Sequence, residues 1–253
     1  KGNNYLNPEI EVLADDALDD LSKAKLEAFL KTWINTYIKE VLEDLLNLNK
    51  KEEVKNKYIR ALMFRLFENN GVLKRELVDE IVESIKKDER KEIWELGIKI
   101  GRYHIYLPKM LKPKAVSLRI SLWRLYYQLA TDQNIPRSGL NYLIDKKYNK
   151  NFLLLCGFEK FKNHYVRIDI LEKLFIKILN KTNKRKFKID AEMINLIGCN
   201  KENFFSLMLC MNYKKSKESD TYFYTGEDKR KNKFVNNNES ENPFKKLLEL
   251  NLK

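Results

Sequence analysis

The sequence predicts a mainly α-helical chain, a helical bundle followed by winged-helix-like α+β units with short β-hairpins. Apolar residues recur at three-four spacing through the first 97 residues. A period of two first appears at Ile98 and returns only in short runs. Near the C-terminal end, the order helix, turn, helix, hairpin over 186–225 is that of a winged helix.

The bundle occupies 1–97. Residues 22–48 hold the strongest amphipathic pattern, with Leu26, Phe29, Trp33, Tyr37, Val41 and Leu45 in phase behind a candidate N-cap at Ser22. A second helix covers 52–69, carries Leu62, Met63 and Leu66 on one face, and stops at Asn69-Asn70-Gly71. Short helices follow over 74–86 and 88–96, the latter capped by Asp88 and ended by Gly97.

Residues 98–131 read as a basic strand, turn and helix. Ile98-Lys99-Ile100 and Tyr103 to Leu107 alternate around a bulge at Gly101. Pro113 then opens a helix whose buried stripe is Ala115, Leu118, Leu122, Leu125 and Leu129. A helix-hairpin-helix unit over 140–181 has helices at 148–156 and 169–181 and two strands around Lys162-Asn163. The unit over 186–225 has helices at 189–197 and 201–211, the second capped by Asn200, and closes with a strand pair. "FLLLCGF" and "SLMLCMNY", about 55 residues apart, are loosely alike and point to a degenerate internal duplication. A winged helix serves either as a nucleic-acid module or as a docking scaffold, and fold alone does not choose. Residues 226–241 are polar enough for a flexible linker, and 242–253 form a short docking helix capped by Asn242.

No apolar run approaches the ~20 residues that span a bilayer, and no signal-peptide pattern opens the chain, so no membrane partner is expected. The first residues, Lys1-Gly2, lack an initiator Met, as in a trimmed chain or a piece of a longer protein. Cys156, Cys199 and Cys210 sit in apolar company without metal-type spacing, which reads as buried free thiols of a reducing, cytoplasmic setting.

The net charge of +13 is uneven. Residues 1–49 hold five Lys against ten acids, a net of −5, so the remainder carries +18. An AT-rich coding sequence would also raise Lys and Asn, but it would not clear acids from one stretch. From Leu96 to Thr131 there are seven Lys or Arg and no acid, with Tyr103, Tyr106, Trp123, Tyr126 and Tyr127 interleaved. Cations neutralise phosphates and exposed aromatic faces stack unpaired bases. Lys99, Arg102, Lys109, Lys112, Lys114, Arg119 and Arg124 are therefore the candidate phosphate contacts, and Tyr106 the candidate stacking residue. The bland reading makes the aromatics core and the cations solvated surface.

Catalytic signals are weak. Asp15, Asp16 and Asp19 form a DDxxD, the spacing with which helical isoprenoid synthases hold magnesium, but no second acidic motif faces it and acids leading into a helix N-terminus explain it better. His104 and His164 lie in no nucleophile context, and with three scattered cysteines they make a poor zinc set. No G-x-x-x-x-G-K-[ST] loop or G-x-G-x-x-G turn is present, so the chain holds no catalytic or cofactor-binding residue by motif.

"ELGIKIGRYHIYLPKMLKPKAVSLRISLWRL" resembles the C-terminal region of bacterial superfamily 2 ATP-dependent helicases related to the mitochondrial degradosome RNA helicase. "VLADDALDDL", "RALMFRLFENNGVLKRELV", "CGFEKFKNHYVRIDILEKL" and the terminal "NPFKKLLEL" extend the likeness over nearly the whole chain in the right order. The resemblance implies an accessory region behind two motor domains that lie outside this sequence, with ATP and Mg held there and no cofactor here. This copy departs from the family in being far richer in Lys and Asn. The expected partners are the motor domains of the same parent chain and single-stranded or partly duplex RNA or DNA, guided to or from the motor. The alternative is a structural or docking module that touches no nucleic acid, and an isoprenoid enzyme using the aspartates is a distant third.

Overall fold

Asp19, rather than Ser22, caps the first helix, its carboxylate accepting the Ser22 amide at 3.2 Å. The structure, a computed structural model, describes residues 5–13, 19–50, 54–127, 133–144, 148–183, 185–216 and 221–226. The expected helix over 22–48 is two helices, α1 (Asp20–Val41) and α2 (Glu43–Asn47), broken at Leu42. Only the C-terminal end of α1 enters the core. Trp33 is 56% exposed and stacks on Tyr37 at 5.9 Å, so the regular stripe of this helix is mostly a surface.

Three sheets of three antiparallel strands follow, each assembled in the same order. In the first unit, α3 (Lys57–Glu68) leads to β1 (Val72–Lys74), α4 (Asp79–Ser84), α5 (Arg90–Glu95), β2 (Lys99–Ile100) and β3 (His104–Tyr106). Its sheet order is β1-β3-β2, with Leu73 opposite Ile105. In the second, α6 (Pro113–Tyr127) leads to β4 (Tyr142–Ile144), α7 (Lys150–Leu155), β5 (Phe158–Phe161) and β6 (His164–Arg167), ordered β4-β6-β5. In the third, α8 (Ile168–Lys181) leads to β7 (Lys186–Phe187), α9 (Ala191–Ile197), α10 (Lys201–Cys210), β8 (Tyr213–Lys215) and β9 (Tyr222–Tyr224), ordered β7-β9-β8.

The junction before each hairpin repeats as well. One residue past the helix cap, Gly97 (φ 73°), Gly157 (φ 82°) and Asn212 (φ 65°) take the left-handed conformation that ends a helix and turns the chain into a strand. The loose likeness of "FLLLCGF" and "SLMLCMNY" falls on this junction, and "IWELGIKI" is its counterpart in the first unit.

Several local readings change. The 74–86 segment is strand, 3₁₀ turn and short helix rather than one helix, and α5 is preceded by Glu89 rather than capped by Asp88. Gly101 is no bulge. It opens the turn between β2 and β3, its amide donating to the His104 carbonyl at 2.8 Å. Because β1 pairs with β3, this hairpin belongs to the sheet of the preceding helices, and Ile105, Leu107 and Met110 join the same core as Leu62, Met63 and Leu66. In α6 the buried residues are Ala115, Val116, Arg119, Ile120 and Leu122, whereas Leu125 is 70% exposed; Leu129 lies outside the described residues. Residues 227–253, with the expected linker and terminal helix, also lie outside them. Among the described residues, no helix is long and apolar enough to cross a membrane.

Candidate nucleic-acid interface

Within the acid-free stretch, carboxylates arrive from other elements. Glu172 of α8 accepts the amides of Arg102 at 2.6 Å, Tyr103 at 2.8 Å and His104 at 3.2 Å, filling the turn between β2 and β3 with an anion. Gly101 permits this approach, since a Cβ at that position would overlap the Glu172 carboxylate. Glu159 of β5 takes a hydrogen bond from Lys74 Nζ at 2.6 Å and pairs with His104 Nε2 at 2.8 Å. Burial pushes the Glu159 carboxyl upward, but those hydrogen bonds outweigh it and hold the group below the usual carboxylate range. Lys109 reaches Asp44 of α2 at 2.8 Å, and that hydrogen bond raises its pKa.

The eight candidate residues therefore separate. Arg119 is only 1% exposed, and its guanidinium donates to the carbonyls of Met110 at 2.6 Å, Leu155 at 3.1 Å and Asn70. It joins the first two units and cannot present itself to a phosphate. Desolvation lowers its pKa to about 10. Tyr106 is likewise 1% exposed, in the central strand of its sheet, so it is not a stacking residue. Arg124 donates to the Gln133 carbonyl and lies over the Phe152 ring at 5.2 Å. Lys109 is tied to Asp44 but half exposed. Lys99, Arg102, Lys112 and Lys114 reach solvent, with Lys99 over the Tyr106 ring at 5.8 Å and Arg102 over the Phe175 ring at 5.3 Å. No ion pair joins Lys112 or Lys114 to another described residue.

Sequence reading missed the second half of the surface around Arg102. A groove of about 810 Å³ runs between the β2–β3 turn, α8 and the third sheet. Its walls include Tyr103, Phe175, Phe223 and Tyr224, together with Arg102, Arg185 and Lys186, and among the described residues contain no Asp or Glu. Tyr103 meets Phe175 edge-on at 5.6 Å, and Tyr213 meets Tyr224 at 5.3 Å. The sequence signal was "YFY" beside "YKK", read only as a strand pair.

Asp19 caps a helix, and Asp15 and Asp16 lie outside the described residues. Among the described residues, no group of three His, Cys, Asp or Glu could hold a metal ion. Burial pushes the Cys156 thiol up to about 12, the wrong direction for a nucleophile. Comparison with protein-family models, curated proteins and solved structures returned no match for this chain.

Proposed function

We propose that the chain is a nucleic-acid-binding accessory region of an ATP-dependent helicase, guiding RNA or DNA to or from motor domains of the same parent chain. The observation that carries this reading is the third unit. Its helix α8, strand β7, helices α9 and α10 and closing hairpin β8–β9, with β7 beside β9, follow the order of a winged helix. Its three strands hold no acid, and Lys186, Lys214 and Lys215 are exposed on them. A basic wing of this kind suits a phosphate backbone. The helicase assignment rests on the motif resemblance and supplies the source of ATP-driven movement that this sequence lacks.

The docking alternative draws on a different observation, that Asp44, Glu159 and Glu172 answer much of the basic stretch from within the chain. A salt titration of binding to labelled RNA and DNA, as single strand and duplex, separates the two readings. Nucleic-acid binding predicts log K falling linearly with log salt, and a Lys214→Glu, Lys215→Glu variant losing about tenfold or more with a shallower slope. Undetectable binding at low salt, or unchanged affinity in that variant, leaves the docking reading. A parental reading frame without a Walker A loop overturns the helicase half.

A further inference from the structure

We infer that the groove between the β2–β3 turn and the third sheet is a site for unpaired nucleotides, a base stacking on Tyr224 and the phosphates meeting Arg102, Arg185 and Lys186. This rests on the nucleic-acid reading and names its substrate class as a single strand.

Three observations lead there. The groove volume of about 810 Å³ falls within the ~300–1,000 Å³ typical of small-ligand sites. Its lining combines aromatic faces with cations and, among the described residues, has no carboxylate to repel a phosphate. Across the sheet, Phe223 stands opposite Lys186 on one side and Lys214 on the other, so the sheet face turned away from Tyr224 also sets an aromatic ring between two ammonium groups, Lys186 reaching the groove from its edge. Tyr224 is 46% exposed, and Arg102, Arg185 and Lys186 are all exposed, so the chemistry faces solvent.

Duplex reading through the major groove fits this surface poorly. A winged helix that reads base edges does so from the helix before its hairpin, with donors and acceptors on the outer face. In α10 the exposed positions are Lys201, Glu202, Ser206 and Leu209, and the Ser206 hydroxyl already bonds His164 at 3.0 Å. Beside Lys201, that helix offers a carboxylate and an apolar side chain where a reader needs several polar forks.

The test uses the full 253-residue chain and oligouridylate and oligothymidylate of about 12 nucleotides, a length within the range covered by single-strand modules. A blunt duplex of similar length is the comparison. Tyr224→Ala is expected to weaken single-strand binding about tenfold, the cost of losing one stacked base. Arg185→Glu with Lys186→Glu is expected to lower the salt slope by about 1.4, two single-strand phosphate contacts. Duplex affinity changes less than about threefold in both variants, and 5-iodouracil crosslinks map to Tyr222–Tyr224. All three substituted side chains are exposed, and an unchanged denaturation midpoint verifies the fold. Wild-type binding that survives both variants, or equal losses on duplex, overturns the groove assignment and leaves the general reading standing. Absence of any wild-type binding at low salt overturns both.

Discussion

A single missing Cβ at Gly101 lets the Glu172 carboxylate sit against three consecutive amides. Charge-assisted hydrogen bonds of this kind are worth ~1.5–3 kcal/mol each when one partner is removed. Gly101→Ala is expected to cost about 2–3 kcal/mol, read as a lower denaturant midpoint with an unchanged slope. Glu172→Gln destabilises too, and the double variant loses less than the sum because both remove one interaction. Strict additivity would show that the turn and α8 are not coupled there. The same geometry explains why the basic stretch misled. Acids were absent only along the chain, and Asp44, Glu159 and Glu172 lie 55 to 69 positions from His104, Tyr103 or Lys109, a distance at which sequence spacing carries no contact information. Arg119 and Lys114 are both basic residues of α6, yet one is a buried tie between carbonyls and the other is exposed. The difference lies in the packing of α6, not in residue type.

Helices were legible at the scale of elements because about two or more turns already display a 3.6 period, and α8, α9 and α10 stand close to the expected limits, whereas α3 starts at Lys57 behind the Asn56 cap rather than at 52. The opening strand of each unit was not. β1, β4 and β7 have two or three residues, too few to alternate, and each pairs with a strand more than twenty residues later. The recurring order of the first unit was hidden for the same reason, since β1 is what turns a helix pair and a hairpin into a sheet. Between the first two sheets, Glu159 links β5 to Lys74 in β1 and His104 in β3. Its folded pKa lies below the ordinary value despite burial, so the unfolded chain takes up the proton first as pH falls. The stabilisation is present above the ordinary carboxyl value and disappears as pH drops through the folded one. Between about pH 5 and 3 the unfolding free energy should fall, and Glu159→Gln should remove part of that slope while lowering stability at neutral pH. A slope identical in both proteins would assign the acid sensitivity elsewhere.

At the scale of the molecule, the three units have largely separate cores that meet at their edges. Tyr103 packs against the core built from α8, α9 and α10, the Asn141 amide donates to the Leu196 carbonyl at 3.1 Å, and His164 meets Ser206. Trp33, Trp94 and Trp123 all precede the second hairpin, whereas the described helices run from Asp20 to Cys210, through all three units. Guanidinium unfolding followed by tryptophan fluorescence and by far-ultraviolet circular dichroism should therefore give coincident transitions. Dichroism that lags fluorescence would make the third unit independent. The junction behind this coupling is abrupt, because β6 ends at Arg167 and α8 begins at Ile168 with no connecting residue. Such a junction works as a phase lock. One residue added there would rotate α8 by ~100° and advance it ~1.5 Å, turning Glu172 away from the β2–β3 turn and moving the wall of the aromatic groove. The angular setting of that groove is thus fixed by residue count, and drift in length has no place to be absorbed between β6 and α8.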